Sequence, residues 1–173
     1  IENNSILHSC LVIPEGIISE CLLLFEFSLI CAHKMPDQKF IWRLHPLLDF
    51  QELKHQSKIF NNLPNNILLS NEKLDTDLQR SDSVLYRGSA AVINAINAGL
   101  KPIYYKQNNE MSIDPIYQQN IGKYVVASHS EFQNSINKPF SEEERLALIN
   151  FSQDLYSPLD YSMFCDLFKG TKV

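Results

Sequence analysis

Several things are scarce or missing in this chain of 173 residues, and each removes a class of function. Basic residues are outnumbered: 15 Lys and Arg against 20 Asp and Glu leave a net charge of −5. An acidic surface repels nucleic-acid backbones and anionic lipid, so general binding to either is excluded and any anion site must be local. The four cysteines, Cys10, Cys21, Cys31 and Cys165, form no C-x-x-C pair and sit in apolar runs. They read as reduced core residues of a cytosolic protein, with no metal site and no disulfide. An uninterrupted apolar span is also missing. The most apolar run, residues 17–32, carries Glu20 and Glu26 and is short for a bilayer, so it reads as a helix buried against a sheet. Internal repeats and low-complexity tracts are absent. So are paired carboxylates in two distinct environments, the pattern that general acid and base work requires.

What is present is 45% apolar residues, enough to bury the core of one domain over residues 1–173. The chain is organised around residues 81–106, S-D-S-V-L-Y-R-G-S-A-A-V-I-N-A-I-N-A-G-L-K-P-I-Y-Y-K. This reads as a short apolar strand (84–86), a polar turn (Arg87, Gly88, Ser89) and an apolar helix (90–98) stopped by Gly99. Lys101-Pro102 then leads into a second strand, 103–105. A turn that combines a glycine, a small hydroxyl and an arginine suits an anion: Gly88 lets the backbone come close, Ser89 opens the helix, and Arg87 adds a fixed cation. An ordinary turn and helix cap is the plain alternative.

The remaining segments repeat the same alternation. A strand at 10–13 ends at Pro14, and Glu15-Gly16 turns into a helix over 17–33, with Ser19 and Glu20 in its first turn to cap free N–H groups or meet ligand hydroxyls. A strand at 40–44 runs straight into His45-Pro46. Proline cannot continue a central strand, so His45 sits at the strand tip, two residues after Arg43, where it serves either a phosphate or the scaffold. A helix over 47–56, a strand at 67–69 and a helix over 71–79 follow, the last with Asp75 and Asp77 as solvated charges. After a polar loop at 107–114 come a strand at 124–127, a capped helix over 128–137, an amphipathic helix over 141–155 opened by S-E-E-E, and a closing helix over 159–168 beyond Pro158.

Short apolar strands alternating with helices predict an α/β, Rossmann-like parallel sheet with helices on both faces. In such a sheet the ligand crevice lies beyond the carboxyl ends of the strands, where the winding reverses. With the order 3-2-1-4-5-6, the turns Glu15-Gly16, His45-Pro46 and Arg87-Gly88-Ser89 meet there.

The segments R-L-H-P (43–46) and 81–103 resemble the donor-binding half of GT-B glycosyltransferases. They look most like bacterial surface-polysaccharide enzymes of the sialyltransferase and polysialyltransferase kind, with an H-P motif followed by a serine motif, and more loosely like glycerophosphate transferases that use CDP-glycerol. The likeness covers residues 10–126. It implies one half of a GT-B fold that binds a CMP-, CDP- or UDP-linked sugar and needs no cofactor. His45, with Pro46, would contact the donor's phosphate or nucleoside, and Ser89 would bind phosphate, with Gly16, Arg87 and Gly88 around it. Glu15, Ser19, Glu20, Arg43 and Asn94 stand as further donor contacts. Two departures matter: Ala90 follows Ser89 where a second hydroxyl is common, and Asn94-Ala95 replaces a Glu-Ala pair, so ribose would meet a neutral amide.

By the same resemblance, the general base and the glycan acceptor belong to an N-terminal half that precedes this one, with Asp49 and Glu52 the nearest carboxylates here. The chain therefore reads as the C-terminal piece of a longer transferase for capsule or lipopolysaccharide, inactive by itself, in the cytoplasm or at the inner face of the membrane. A nucleotide-sugar epimerase half and a non-catalytic α/β interaction module remain the alternatives.

Overall fold

The structure, a computed structural model, describes residues 9–155. Six strands make one parallel sheet: β1 (Ser9–Ile13), β2 (Lys39–Arg43), β3 (Ile67–Ser70), β4 (Ser83–Tyr86), β5 (Lys101–Tyr105) and β6 (Tyr124–Val126), in the order β3-β2-β1-β4-β5-β6. The helices are α1 (Ile18–Lys34), α2 (Phe50–Gln56), α3 (Leu74–Gln79), α4 (Ala91–Asn97), α5 (His129–Asn137) and α6 (Glu142–Leu155), with a 3-10 turn at Lys58–Asn61. The expected α/β Rossmann-like sheet and its strand order are both observed. The expected closing helix over 159–168, Pro158 and Cys165 lie outside the described residues.

Alternation along each central strand divides the core into two layers. Cys10, Val12, Phe40, Trp42 and Leu85 face α1, α2 and α5, while Leu11, Ile13, Ile41, Val84 and Tyr86 face α3, α4 and α6. Aromatic packing fills the first layer: Phe25 stacks on Trp42 at 4.2 Å and Phe27 on Tyr105 at 3.9 Å between ring centroids. The 17 residues of α1 are apolar nearly all round because the helix lies sunk between the sheet and α5, as its composition requires. Cys10, Cys21 and Cys31 are buried, and desolvation raises all three thiols, Cys21 and Cys31 to about 12, so they pack as small apolar residues.

Several local expectations shift. Helix α2 starts at Phe50, three residues late, because the His45-Pro46 turn continues through a Leu48 N–H to His45 C=O bond of 2.9 Å. Asp49 caps the helix by accepting the Gln51 N–H at 2.9 Å. Lys101 and Pro102 lie inside β5. Proline is tolerated there because β6 pairs only from Ile103 onward, so no ladder partner faces the missing N–H on that side. Lys101 is buried and donates to the carbonyls of Ser135, Ile136 and Lys138, closing the end of α5 with a cation. Gly99 takes φ +83, the left-handed turn that ends α4. Asp75 is exposed as expected, but Asp77 is completely buried. Its partners are at the ligand end of the sheet.

Candidate functional site

Because β1 lies between β2 and β4, the turns that follow these three strands are neighbours at the carboxyl end of the sheet. Helices on opposite faces leave from them, which is the geometry that opens a crevice. A cavity of ≈ 230 Å³ lies there, lined among others by Pro14, Arg43, His45, Pro46, Ser89 and Ala91. A second hollow of ≈ 430 Å³ continues toward β3, sharing Arg43, His45 and Pro46 and adding Asp49, Ser70 and Asn71. Of the residues singled out in the sequence, Arg43, His45, Pro46 and Ser89 line the first cavity, and Glu15, Gly16, Arg87 and Gly88 line neither.

His45 is set by two neighbours. Its ring lies against Gly16, where even a Cβ would approach Nδ1 to 2.9 Å, so glycine is needed for the close approach. The Leu47 N–H donates to Nδ1 at 3.3 Å. A neutral imidazole that accepts at Nδ1 carries its proton on Nε2, which has no partner among the described residues and is the atom left to donate. Ser89 is almost buried on the opposite wall, and its hydroxyl likewise bonds to none of the described residues. Helix α4 begins beside it at Ala90 without a side-chain cap.

The cation of the crevice is Arg43, and Arg87 has different work. Arg43 Nη1 donates to Asp77 Oδ2 at 2.8 Å and to the Glu72 carbonyl at 2.5 Å, while Nη2 and Nε bond to none of the described residues. Arg87 was expected to offer a free charge to an anion. Instead its guanidinium is buried, donating to Glu20 at 2.7 Å, to both oxygens of Glu110 at 2.8 and 3.1 Å, and to the Tyr105 carbonyl at 3.3 Å. It also lies over the Tyr105 ring, 5.6 Å from the centroid. Burial opposes the charge on Arg87, but the hydrogen bonds to Glu110 and Glu20 outweigh it and hold the group ionised. Glu110 is pulled below its ordinary range, first by the bond from Arg87. Arg87 therefore ties β4, α1 and the loop after β5 together, and two carboxylates consume its charge.

The other candidates divide likewise. Glu20 neither caps α1 nor meets the cavity; it holds Arg87. Ser19 and Asn94 are exposed and line neither hollow. Glu15 lies over Gly88, where an added Cβ would sit 2.1 Å from Oε1, and that buried oxygen has no hydrogen-bond partner among the described residues. The sequence reading missed the parts played by Asp77 and Glu110, which meet Arg43 and Arg87 across 34 and 23 residues, and by Arg80, which pairs with Asp77.

No protein-family model matches the chain, and no curated protein matches it by sequence. Solved structures do. CalG4, the calicheamicin glycosyltransferase, is 14% identical with TM-score 0.64, over 96% of this chain and 42% of that one. The C-terminal domain of a group 1 family glycosyl transferase (LpcC) from Francisella tularensis is 15% identical with TM-score 0.50, over 86% and 83%. The UDP-GlcNAc 2-epimerase of Methanocaldococcus jannaschii, solved with UDP-GlcNAc and UDP, is 14% identical with TM-score 0.53, over 88% and 46%.

The fold is that of one GT-B half. It spans less than half the length of CalG4 and aligns over most of the LpcC C-terminal domain. At these identities the likeness establishes the architecture of the GT-B half, and its chemistry has to be argued from the crevice.

Proposed function

We propose that the chain is the donor-binding half of a glycosyltransferase and takes the phosphate of a nucleotide-linked sugar in the crevice between β1, β2 and β4. One observation carries the reading: Arg43 at the end of β2, His45 in the turn after it and Ser89 in the turn after β4 line a single cavity at the point where the sheet reverses its winding. Their free donors, guanidinium Nη2 and Nε, imidazole Nε2–H and hydroxyl O–H, suit phosphate oxygens. Glycosyltransferases among the structural neighbours, and the alignment with a domain that is C-terminal in LpcC, support placing this half second in a longer chain.

In that reading the protein holds and orients the donor while its partner half supplies the base that activates an acceptor hydroxyl. Asp49 is used as a helix cap and Glu52 lies in the first turn of α2, so neither is offered as that base. The resemblance in the H-P and serine motifs favours a CMP-, CDP- or UDP-linked donor and a surface-polysaccharide product made at the cytoplasmic side of the membrane. By itself the chain should bind a donor and transfer nothing.

A thermal-shift panel of CMP, CDP, UDP and GDP tests this. A ligand at a hundred times its dissociation constant should stabilise by about 2.7 kcal/mol, and no shift with any of the four at millimolar concentration sinks the proposal. The epimerase neighbour keeps one second reading in view, the nucleotide-sugar-binding half of an epimerase. Conversion of a nucleotide-sugar to its epimer by the longer chain with no acceptor present would favour it.

A further inference from the structure

We infer that Asp77 is a positioning residue for ligand binding, acting through Arg43; the inference rests on the donor-binding reading above. Asp77 sits on the short helix α3 and is 0% exposed, a position a carboxylate occupies only when it is well paired. It has more than it needs. Arg80, three residues on, donates to Oδ1 at 2.6 Å, and the Ser70 hydroxyl lies 2.7 and 2.8 Å from its two oxygens. These local partners, together with the Ser81 hydroxyl that bonds the Asp77 carbonyl at 2.8 Å, are sufficient to hold α3 against β3.

Arg43 comes from 34 residues away, at the end of β2, and meets Oδ2, the oxygen that Arg80 does not bond, at 2.8 Å. The pair is one-sided. Among the described residues only Nη1 is spent, on Asp77 and on the Glu72 carbonyl, so the rest of the guanidinium is held in place and still has donors to give. Two arginines share the one carboxylate, so Asp77 anchors Arg43 without neutralising it alone. An unanchored arginine would have to lose its side-chain freedom when ligand arrived; one fixed by a buried carboxylate has already lost it, so less of the binding energy is consumed by ordering. Asp77 therefore aims Arg43 without touching ligand.

The test is isothermal titration of the wild-type chain, Arg43→Ala, Asp77→Asn, the double variant and Arg43→Lys with CMP and with UDP, alongside melting temperatures. Arg43→Ala should weaken binding about tenfold or more, as expected for a charge-assisted hydrogen bond. Asp77→Asn should weaken it several-fold in the wild-type background and leave it unchanged in the Arg43→Ala background, since its effect passes through that arginine. Arg43→Lys keeps the ion pair with Asp77 but lacks the spare donors, so it should bind several-fold more weakly with its melting temperature nearly retained, whether or not Asp77→Asn folds. An equal loss from Asp77→Asn in both backgrounds, a melting-temperature effect without an affinity effect, or full affinity in Arg43→Lys overturns the inference. Wild-type protein that binds neither nucleotide overturns the donor-binding reading itself, and the inference with it.

Discussion

Replacing Arg87 by methionine separates scaffold from ligand contact at the turn that first suggested an anion site. The substitution keeps most of the side-chain length and removes the charge, leaving Glu20 and Glu110 facing one another across the gap with no cation between them. The carboxylates are 26% and 22% exposed and the guanidinium 4%. Breaking a fully buried ion pair by removing one partner costs about 3–5 kcal/mol; with water reaching a quarter of each carboxylate, a loss on the order of 2–4 kcal/mol is expected. For a chain of this size that is a fall in melting temperature of about 5–15 °C, read by circular dichroism. Nucleotide affinity, measured well below the melting temperature, should fall by less than about threefold, because the group removed contributes no free hydrogen bond to the cavity. A melting temperature within 2 °C of wild type, together with a tenfold loss of affinity, would refute the reasoning and return Arg87 to the ligand.

The same ion pair sets a pH dependence. Glu110 has a folded-state pKa below its ordinary value, so its contribution is present above the unfolded-state value, about 4.3, and is lost as pH falls through the lower folded value. Wild-type stability should therefore fall more steeply than that of Glu110→Gln on acidification below about pH 5, and parallel curves would count against the bridge. Gly16→Val should push the His45 ring from its seat, since the first added carbon already meets Nδ1 at 2.9 Å; nucleotide affinity should drop several-fold, and an unchanged affinity would show that the ring position does not matter. Gly99→Ala should lower stability by about 1 kcal/mol or more, because φ +83 is a left-handed conformation and the new methyl crowds Arg145; an unchanged denaturation midpoint would contradict this. In native protein Cys10, Cys21 and Cys31 should resist alkylation, as peptide mapping would show, because burial raises all three thiols; rapid labelling would indicate an open core.

The fold was legible because its signals are local. Apolar runs such as 10–13 and 84–86, each closed by a proline or a glycine turn, fix the strands, and parallel strands joined by helices leave few strand orders. The meeting of the β1, β2 and β4 turns followed from that order alone. What escaped was the pairing of charges. Nothing near Arg87 shows that Glu20, 67 residues earlier, and Glu110, 23 later, will consume its charge. Asp77 reads as a surface residue because α3 is too short to display a periodic face, and only the sheet brings Arg43 over it. The start of α2 was misplaced for a related reason: a carbonyl–amide bond within the His45-Pro46 turn, which no propensity encodes, delays the helix to the Asp49 cap.

The central claim is that a nucleotide's phosphate sits among Arg43, His45 and Ser89, and a two-dimensional ¹H–¹⁵N NMR titration of the labelled chain with CMP tests it most directly. The account predicts saturable shifts concentrated in the amides of His45, Leu47, Ser89 and Ala91 and in the Arg43 Nε–H, with those of α5 and α6 at rest. Saturable shifts confined to residues elsewhere, or no shifts at millimolar CMP, CDP or UDP, would contradict it.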